Sequence, residues 1–290
     1  MIAKANVEAL RAFLNHGARF ALLTGRAEQL LRLVPDEAIH HVISDPPFSA
    51  RLYDGGGVRA NPTKGKRPPV VDRLKSPKLS KFNFEYCALT DQAVRQTAHE
   101  LGRFFRWTAR WALIFTDAED GVHDWICALE LGAGTQHTRV GHWLKTNAQP
   151  QFSGDRPAVG TEAIVIQHSA EHARRWNGGG KAAVWPFAVS RDKETAWHPT
   201  PKPIELCVQL ILDFTEPGET ILDPWAGSAS MGLAALRTGR RYLGIELRPD
   251  WAKKARAMLK REAEHPPSAS LDPKRIAAAD PRQSDLLVPF

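Results

Sequence analysis

The stretch TILDPWAGSASMGLAALRTGRRYLGIE, residues 220–246, decides how the rest of the chain is interpreted. Its apolar pattern predicts a strand over Thr220–Leu222, a helix over Ser228–Arg237 and a second strand over Arg241–Glu246. A strand, a crossover helix and a returning strand form the unit from which parallel sheets are built. The stretch therefore predicts an α/β protein.

The remainder of the chain repeats this alternation, which predicts a mostly parallel, doubly wound sheet with helices on both faces. We expect a single domain over residues 1–263 and a disordered tail over 264–290. The other predicted strands are Arg19–Thr24, Ile39–Ser44, Trp111–Thr116, Arg139–Lys145 and Ala163–His168. The other predicted helices are an amphipathic N-terminal helix, Ala27–Leu33, Asp91–Arg110, Gly121–Leu131, Pro203–Phe214 and Asp250–Glu262.

The composition excludes several classes of protein. Hydrophobic residues make up 43% of the 290 residues, which is enough for a core, but no apolar run reaches the ~18–20 residues of a membrane span. Cys87, Cys127 and Cys207 lie far apart, so neither a disulfide scaffold nor a cysteine zinc site is expected. The chain starts with charges rather than a secretion signal. We therefore expect a cytoplasmic protein.

A ligand site is predicted where the strand Thr220–Leu222 meets the following helix. The turn at Gly227 leaves free N–H groups at a helix N-terminus, where they can bind a polar ligand. Glu246 ends the next strand about 20 residues later, where a carboxylate can accept hydrogen bonds from ribose hydroxyls. The pattern predicts a nucleotide-like cofactor, and a plain helix-capping turn with a surface glutamate is the alternative.

A second site is predicted at Ser44-Asp45-Pro46-Pro47-Phe48, which follows a strand. Ligands of open parallel sheets bind at this edge. The prolines leave backbone carbonyls without ladder partners, so the segment offers a carboxylate, carbonyl acceptors and an aromatic ring. This set suits a planar ligand that carries an amino group, although a rigid turn with a core phenylalanine would have the same sequence.

Together these segments resemble the amino-methyltransferases of DNA, which methylate adenine N6 or cytosine N4 with S-adenosylmethionine. SDPPF resembles their catalytic D/N/S-P-P-Y/F motif and DPWAGSAS their cofactor motif D-P-F-x-G-S-G-T. The catalytic motif comes first here, as in the circularly permuted β group. The segments 21–48, 143–147 (WLKTN) and 198–203 (HPTPKP) also resemble that group, so the likeness covers about residues 19–259.

The resemblance implies a Rossmann-like methyltransferase fold, S-adenosyl-L-methionine as cofactor and no metal. The implied catalytic residues are Asp45, Pro46, Pro47 and Phe48. The implied cofactor-binding residues are Gly25, Thr200, Lys202, Asp223, Pro224, Trp225, Gly227, Ser228, Ser230 and Glu246. Asp45 and the Pro46 carbonyl would accept the two N–H bonds of a flipped-out base, and Phe48 would stack on it.

Three positions depart from the family pattern. Arg26 replaces the acidic residue that lies near the cofactor adenine, Trp225 replaces a phenylalanine, and Ala229 replaces the second glycine of the cofactor loop. None of them belongs to the catalytic motif. Arg26 and Ala229 motivate the alternative of a non-catalytic nucleic-acid-binding homologue.

The resemblance implies double-stranded DNA as the partner, held by two irregular insertions, and therefore a nucleoid-associated protein. Within the insertion Ser49–Phe84, residues 59–81 contain eight basic residues and one acidic residue. The net charge of this segment is therefore +7, which is the same as the formal net charge of the whole chain. The segment Ser169–His198 is the expected target-recognition region. The predicted DNA-binding residues are Arg59, Lys64, Lys66, Arg67, Arg73, Lys75, Lys78, Lys81, Arg174 and Arg175.

Aspartate at position 45 favours adenine N6 over cytosine N4, where the family more often has serine. A methyltransferase for RNA, protein or a small molecule stays open. A nicotinamide dehydrogenase is disfavoured because no G-x-G-x-x-G follows a predicted strand. A homodimer and a cognate restriction enzyme are compatible with the family, but no residue in the sequence indicates either.

Overall fold

The computed structural model describes residues 3–47, 91–118, 120–151, 154, 157–189 and 192–267. The strands are β1 Phe20–Thr24, β2 His41–Ser44, β3 Trp111–Thr116, β4 Thr135–Lys145, β5 Thr161–Ser169, β6 Val184–Phe187, β7 Thr220–Asp223 and β8 Arg241–Glu246. The α-helices are α1 Lys4–Leu14, α2 Ala27–Leu30, α3 Asp91–Trp107, α4 Asp120–Ala133, α5 Ile204–Phe214, α6 Ser230–Arg237 and α7 Pro249–Ala263. Two short 3-10 helices, Leu31–Leu33 and Asp36–Ala38, precede β2. The elements predicted from the sequence are confirmed to within a few residues.

One sheet contains all eight described strands in the order β1-β8-β7-β2-β3-β5-β4-β6. Every neighbouring pair is parallel except the two pairs made by β5. The C-terminal ends of seven strands therefore lie at one edge of the sheet, together with the N-terminal end of β5. We call this edge the carboxyl edge and the opposite one the amino edge.

The sheet is buried on both faces, which confirms the doubly wound arrangement. Helices α5, α6 and α7 pack on one face, against residues such as Leu22 and Ile43. The other face, with Leu23 and Val42, packs against α1, α2, α3 and α4. Burial on both faces explains the uninterrupted apolar sequence of β3, where all six residues are buried.

The prediction that 169–198 is irregular is wrong at β6, which adds an edge strand beside β4. Trp185 of β6 is 3% exposed, and its Nε1 donates to Asp213 at 3.0 Å. The strand has four residues and contains Pro186, a residue that a strand tolerates at the edge of a sheet. Its brevity and its proline hid it from the sequence pattern.

Two other predictions concern parts of the chain that lie outside the described residues. They are the insertion Ser49–Phe84 and the tail beyond residue 267. None of the helices within the described ranges is long and apolar enough to cross a membrane.

Candidate active site

The catalytic and cofactor motifs meet at the carboxyl edge, because they follow the neighbouring strands β2 and β7. The Ser44 hydroxyl donates a hydrogen bond of 2.5 Å to Oδ1 of Asp223. The backbone N–H of Trp225 donates to Ser44 Oγ at 3.3 Å. The residue before Asp45 is therefore hydrogen-bonded to the cofactor motif directly.

The Asp223 carboxylate is 3% exposed and joins three strands. Besides the Ser44 hydroxyl, it accepts hydrogen bonds from the Tyr242 hydroxyl of β8 at 3.0 Å and from the Trp225 N–H at 3.3 Å. Burial raises the pKa of Asp223 to about 7, although these donors favour its charged form. The described contacts of this side chain are thus to protein groups, and its predicted contact with a cofactor stays a prediction.

Glu246 lies beside the turn at Gly227, as the spacing predicted. Its Oε2 accepts a hydrogen bond from the Gly227 N–H at 2.9 Å, and its Oε1 accepts one from the Arg248 N–H at 2.7 Å. Burial raises the pKa of Glu246, which is 6% exposed, while these two donors favour its charge. A carboxylate offers about four acceptor positions, and the two protein donors use two of them.

His198 packs against the cofactor turn, although it was not predicted as a site residue. Gly227 has a φ of +51°, and a Cβ there would lie 3.1 Å from His198 Nε2. The ring meets Trp251 edge-on with centroids 4.4 Å apart, and Nδ1 accepts the Thr200 N–H at 3.3 Å. Burial, helped by the charges of Lys202 and Arg248, lowers the pKa of His198 to about 4. The only signal in the sequence was its place at the start of HPTPKP.

Four other predicted cofactor residues, Gly25, Trp225, Ser228 and Ser230, lie in or near the same turn. The Gly25 N–H donates to the Glu246 carbonyl at 3.0 Å, which places the end of β1 at this site. The hydroxyls of Ser228 and Ser230 are 3.0 Å apart and buried. Trp225 packs edge-on against Trp125 of α4, with centroids 5.7 Å apart. These positions agree with the predicted site, whose contacts with a cofactor stay predictions.

Two departures from the family pattern have visible consequences. Ala229, which replaces glycine, has a φ of +59° and a fully buried methyl group. A left-handed alanine costs about 1–2 kcal/mol relative to the ordinary conformation, and the packing of α6 has to offset that cost. Arg26 donates to Glu28 Oε1 at 2.6 Å, so a carboxylate still lies close to this end of β1.

Asp45 belongs to a group of four charged side chains at the carboxyl edge, which we call the ion cluster: Asp45, Lys145, Glu162 and Lys202. Lys202 Nζ lies 2.5 Å from Asp45 Oδ2 and 3.2 Å from Glu162 Oε2. Lys145 Nζ lies 2.9 Å from Glu162 Oε1. The sequence analysis had assigned Lys202 to the cofactor site and had not named Lys145 or Glu162 as site residues.

The charges of the ion cluster shift one another's protonation. Burial raises the pKa of Asp45, with Lys202 opposing the rise and Glu162 adding to it. Burial would also raise the pKa of Glu162, but Lys202 and Lys145 hold it below its ordinary value. Although burial opposes its charge, Lys202 has a raised pKa because both carboxylates stabilise the ammonium group. The protonation of Asp45, Glu162 and Lys202 therefore depends on the neighbouring charges.

The structure does not bring Arg174 and Arg175 to this site. Both are exposed and follow the C-terminal end of β5, which lies at the amino edge. The carbonyl of Arg175 accepts a hydrogen bond of 2.7 Å from Nε1 of Trp111, the first residue of β3. Phe48 and the basic residues predicted between Arg59 and Lys81 lie outside the described residues, whereas Pro46 and Pro47 are described beside Asp45.

Comparison with known proteins identifies the family. The model of the N6/N4 methyltransferase family, described as DNA methylase, matches residues 39–257. The Type II methyltransferase M2.LlaDCHI of Lactococcus lactis subsp. cremoris is 30% identical over 257 residues, or 81% of this chain and 87% of that protein. The chain belongs to the N6/N4 DNA methylase family.

Other similarities are shorter or more distant. The Type II methyltransferase M2.DpnII of Streptococcus pneumoniae is 33% identical over 135 residues, which is 42% of this chain and half of that protein's length. The M1.HpyAVI structure, a complex with SAM, has a TM-score of 0.59 and 17% identity, and covers 83% of this chain and 98% of its own. The cytosine-N4-specific PvuII DNA methyltransferase has a TM-score of 0.58 and 14% identity, and covers 85% and 95%. These two structures confirm the methyltransferase fold.

Proposed function

We propose that this protein transfers a methyl group from S-adenosylmethionine to the exocyclic N6 amine of an adenine flipped out of double-stranded DNA. The observation that carries the proposal is the meeting of two motifs at one sheet edge. Asp45 stands beside Ser44, whose hydroxyl binds Asp223 at the start of the cofactor turn. An acceptor for an amine and a site for a nucleotide-like cofactor are thus adjacent.

The residues around Gly227 fit the proposed cofactor. Glu246 has acceptor positions for ribose hydroxyls, and the turn at Gly227 lacks the Cβ that would crowd His198. When bound, S-adenosylmethionine supplies a methyl group activated by its sulfonium. We expect Glu246 and the backbone of the turn to hold it with that methyl directed toward Asp45.

Asp45 addresses the chemical difficulty of the reaction. The lone pair of an adenine amine is delocalised into the ring, so the amine is a weak nucleophile. A carboxylate that accepts one N–H bond, with the Pro46 carbonyl accepting the other, favours a tetrahedral nitrogen whose lone pair points at the methyl group. The same carboxylate would stabilise the positive charge that develops on nitrogen as the N–C bond forms in line with the breaking methyl–sulfur bond. The thioether product would leave, and the methylated amine would lose one proton to Asp45.

Target base and DNA contacts form the finer part of the proposal. Adenine is proposed because Asp45 stands first in the catalytic motif, and cytosine N4 is the alternative within the family. The basic residues of 59–81 are proposed to hold the DNA backbone, which would make binding depend strongly on salt. Flipping the base out of the duplex would cost a few kcal/mol, which these contacts offset.

The test is to incubate the protein with DNA and S-adenosylmethionine carrying an isotopically labelled methyl group. The DNA is then digested to nucleosides and analysed by mass spectrometry. The proposal predicts labelled N6-methyldeoxyadenosine. Labelled N4-methyldeoxycytidine would instead identify the alternative base, and the absence of any labelled nucleoside, despite cofactor binding measured by calorimetry, would contradict the methyltransferase proposal.

A further inference from the structure

We propose that Lys202 is a positioning residue for Asp45, and that Glu162 and Lys145 in turn hold Lys202 in place. The ammonium group binds one carboxylate oxygen of Asp45 and leaves the other to accept the target amine. This inference rests on the proposed methyl transfer and assigns Lys202 a role different from cofactor binding.

The first support is the geometry around the ammonium group. Lys202 Nζ is 2.5 Å from Asp45 Oδ2, and among the described residues no hydrogen bond to Asp45 Oδ1 is recorded. The Lys202 side chain is 11% exposed, whereas the Asp45 side chain keeps 31% exposure. The lysine is therefore enclosed by protein while the carboxylate still faces outward, as a group that meets a substrate must.

The second support is the way in which Lys202 is held. It stands between Pro201 and Pro203, both buried, and α5 begins directly afterwards. Each proline fixes its own φ, so the backbone that carries the lysine has little freedom. The ammonium group also lies 5.1 Å from the ring centroid of Phe115 on β3, a cation–π contact that restrains it further.

The third support is the charge balance of the ion cluster, which has two carboxylates and two ammonium groups. Glu162 is the charged residue in the otherwise uncharged strand TEAIVIQHS. Its two oxygens face Lys202 and Lys145 separately, at 3.2 Å and 2.9 Å. Glu162 is therefore a second anionic partner for the ammonium group of Lys202, and Lys145 offsets the added negative charge.

The contact with Lys202 favours the ionised form of Asp45 and orients its carboxylate. Without Lys202, Asp45 and Glu162 would be two partly buried carboxylates at one sheet edge, and burial together with their repulsion would favour the protonated form of Asp45. A protonated Asp45 cannot accept an N–H bond with the strength of a charged acceptor. The titratable groups that act on Asp45, directly or through Lys202, are Lys145, Glu162, His198, Lys202, Cys207 and Asp223.

The test compares Lys202→Met with wild type in single-turnover methyl transfer from pH 5.5 to 9, together with calorimetric binding of S-adenosylmethionine. We expect Lys202→Met to transfer methyl groups about 10–100-fold more slowly at pH 7, as for other residues that orient a reacting group. The pH at which activity rises should be higher for Lys202→Met than for wild type. Its affinity for S-adenosylmethionine should change by less than about threefold.

Two further variants separate positioning from folding. Adding Glu162→Gln to Lys202→Met removes the carboxylate that repels Asp45, so the pH profile should move back toward wild type. Lys202→Arg keeps the charge and should keep the wild-type pH profile even if its rate falls. Lys4→Met, on the exposed face of α1, is the matched control and should behave as wild type.

Two results with active wild type would overturn the positioning role. The first is an unchanged pH profile for Lys202→Met, and the second is a loss by Lys202→Met that is confined to its affinity for S-adenosylmethionine. The second result would make Lys202 a cofactor ligand. Failure of the double variant to move the profile back would also count against the role of Glu162. Inactive wild type would overturn the proposed function itself and, with it, the inference that rests on it.

Discussion

The carboxylate of Asp223 makes a sharp prediction about stability and pH. The side chain is 3% exposed and accepts hydrogen bonds from Ser44, Tyr242 and the Trp225 N–H. Asp223→Asn keeps the shape of the group. Its amide oxygen can still accept from Ser44, and its amide nitrogen can donate to the Tyr242 hydroxyl. The substitution therefore removes the ionisation while disturbing the packing little.

The magnitude follows from the pKa. Burial raises the pKa of Asp223 from an ordinary value of 3.8 to about 7. Between these values the folded protein keeps a proton that the unfolded chain has released, so the free energy of unfolding falls as the pH rises. At about 1.36 kcal/mol per pKa unit, the wild-type protein should lose about 2.5 kcal/mol from this group between pH 5 and pH 8.

The assay is urea unfolding of wild type and Asp223→Asn at pH 5, 6, 7 and 8, since other titrating groups are common to both proteins. The stability of the variant relative to wild type should increase by about 2.5 kcal/mol across this range. Tyr242→Phe is the complementary variant, because it removes a donor that favours the charged carboxylate. It should extend the pH-dependent loss to higher pH.

Two results would refute this reasoning. Wild type and Asp223→Asn could show parallel stability from pH 5 to pH 8, which would mean that Asp223 is already ionised at pH 5. The variant could also gain less than about 1 kcal/mol relative to wild type across this range, which would mean that the three donors offset most of the effect of burial on the pKa of Asp223.

Three further predictions concern other parts of the fold. Glu219, at the amino edge, has a pKa of about 2 because hydrogen bonds from His41 and Arg110 overcome the effect of its burial. Its stabilising effect is therefore lost as the pH falls from about 4.5 to about 2. In urea unfolding, Glu219→Gln should lower the free energy of unfolding by about 3 kcal/mol at pH 7 and should reduce the loss of stability at acid pH. A decrease below about 1 kcal/mol would contradict the buried ion pair. Gly227→Ala should lower the free energy of unfolding by about 1–2 kcal/mol, because it places a Cβ in a left-handed turn, and a neutral effect would argue against that conformation. The double variant Arg174→Ala/Arg175→Ala should methylate DNA within about twofold of the wild-type rate, because both arginines lie at the amino edge. A large loss of rate would show that DNA reaches that edge.

The sequence predicted the strands and helices well where burial is uniform. The strands β3 and β8 match their predicted bounds, because parallel strands covered on both faces have continuous apolar sequences. The meeting of the catalytic and cofactor motifs was also predictable, since parallel strands bring their C-terminal ends to one edge. Local pattern and strand direction together were enough for this part of the site.

The antiparallel strand β5 accounts for what the sequence analysis missed. It brings Glu162 to the carboxyl edge and takes Arg174 and Arg175 to the amino edge, the reverse of a parallel strand. The pairing that places Glu162 near Lys145 and Lys202 depends on this reversal, which no local pattern encodes. The signal that was available was a lone glutamate in an otherwise uncharged strand, because burying such a charge is costly unless a cation pairs with it.

Asp45→Ala tests the central claim most directly, in single-turnover methyl transfer to DNA with the affinity for S-adenosylmethionine measured in parallel. Glu8→Ala, on the exposed surface of α1, serves as the matched control. The account predicts that Asp45→Ala loses methyl transfer by about 100-fold or more while it binds S-adenosylmethionine as wild type does. Methyl transfer by Asp45→Ala at the wild-type rate would contradict the role of Asp45 as the acceptor of the target amine.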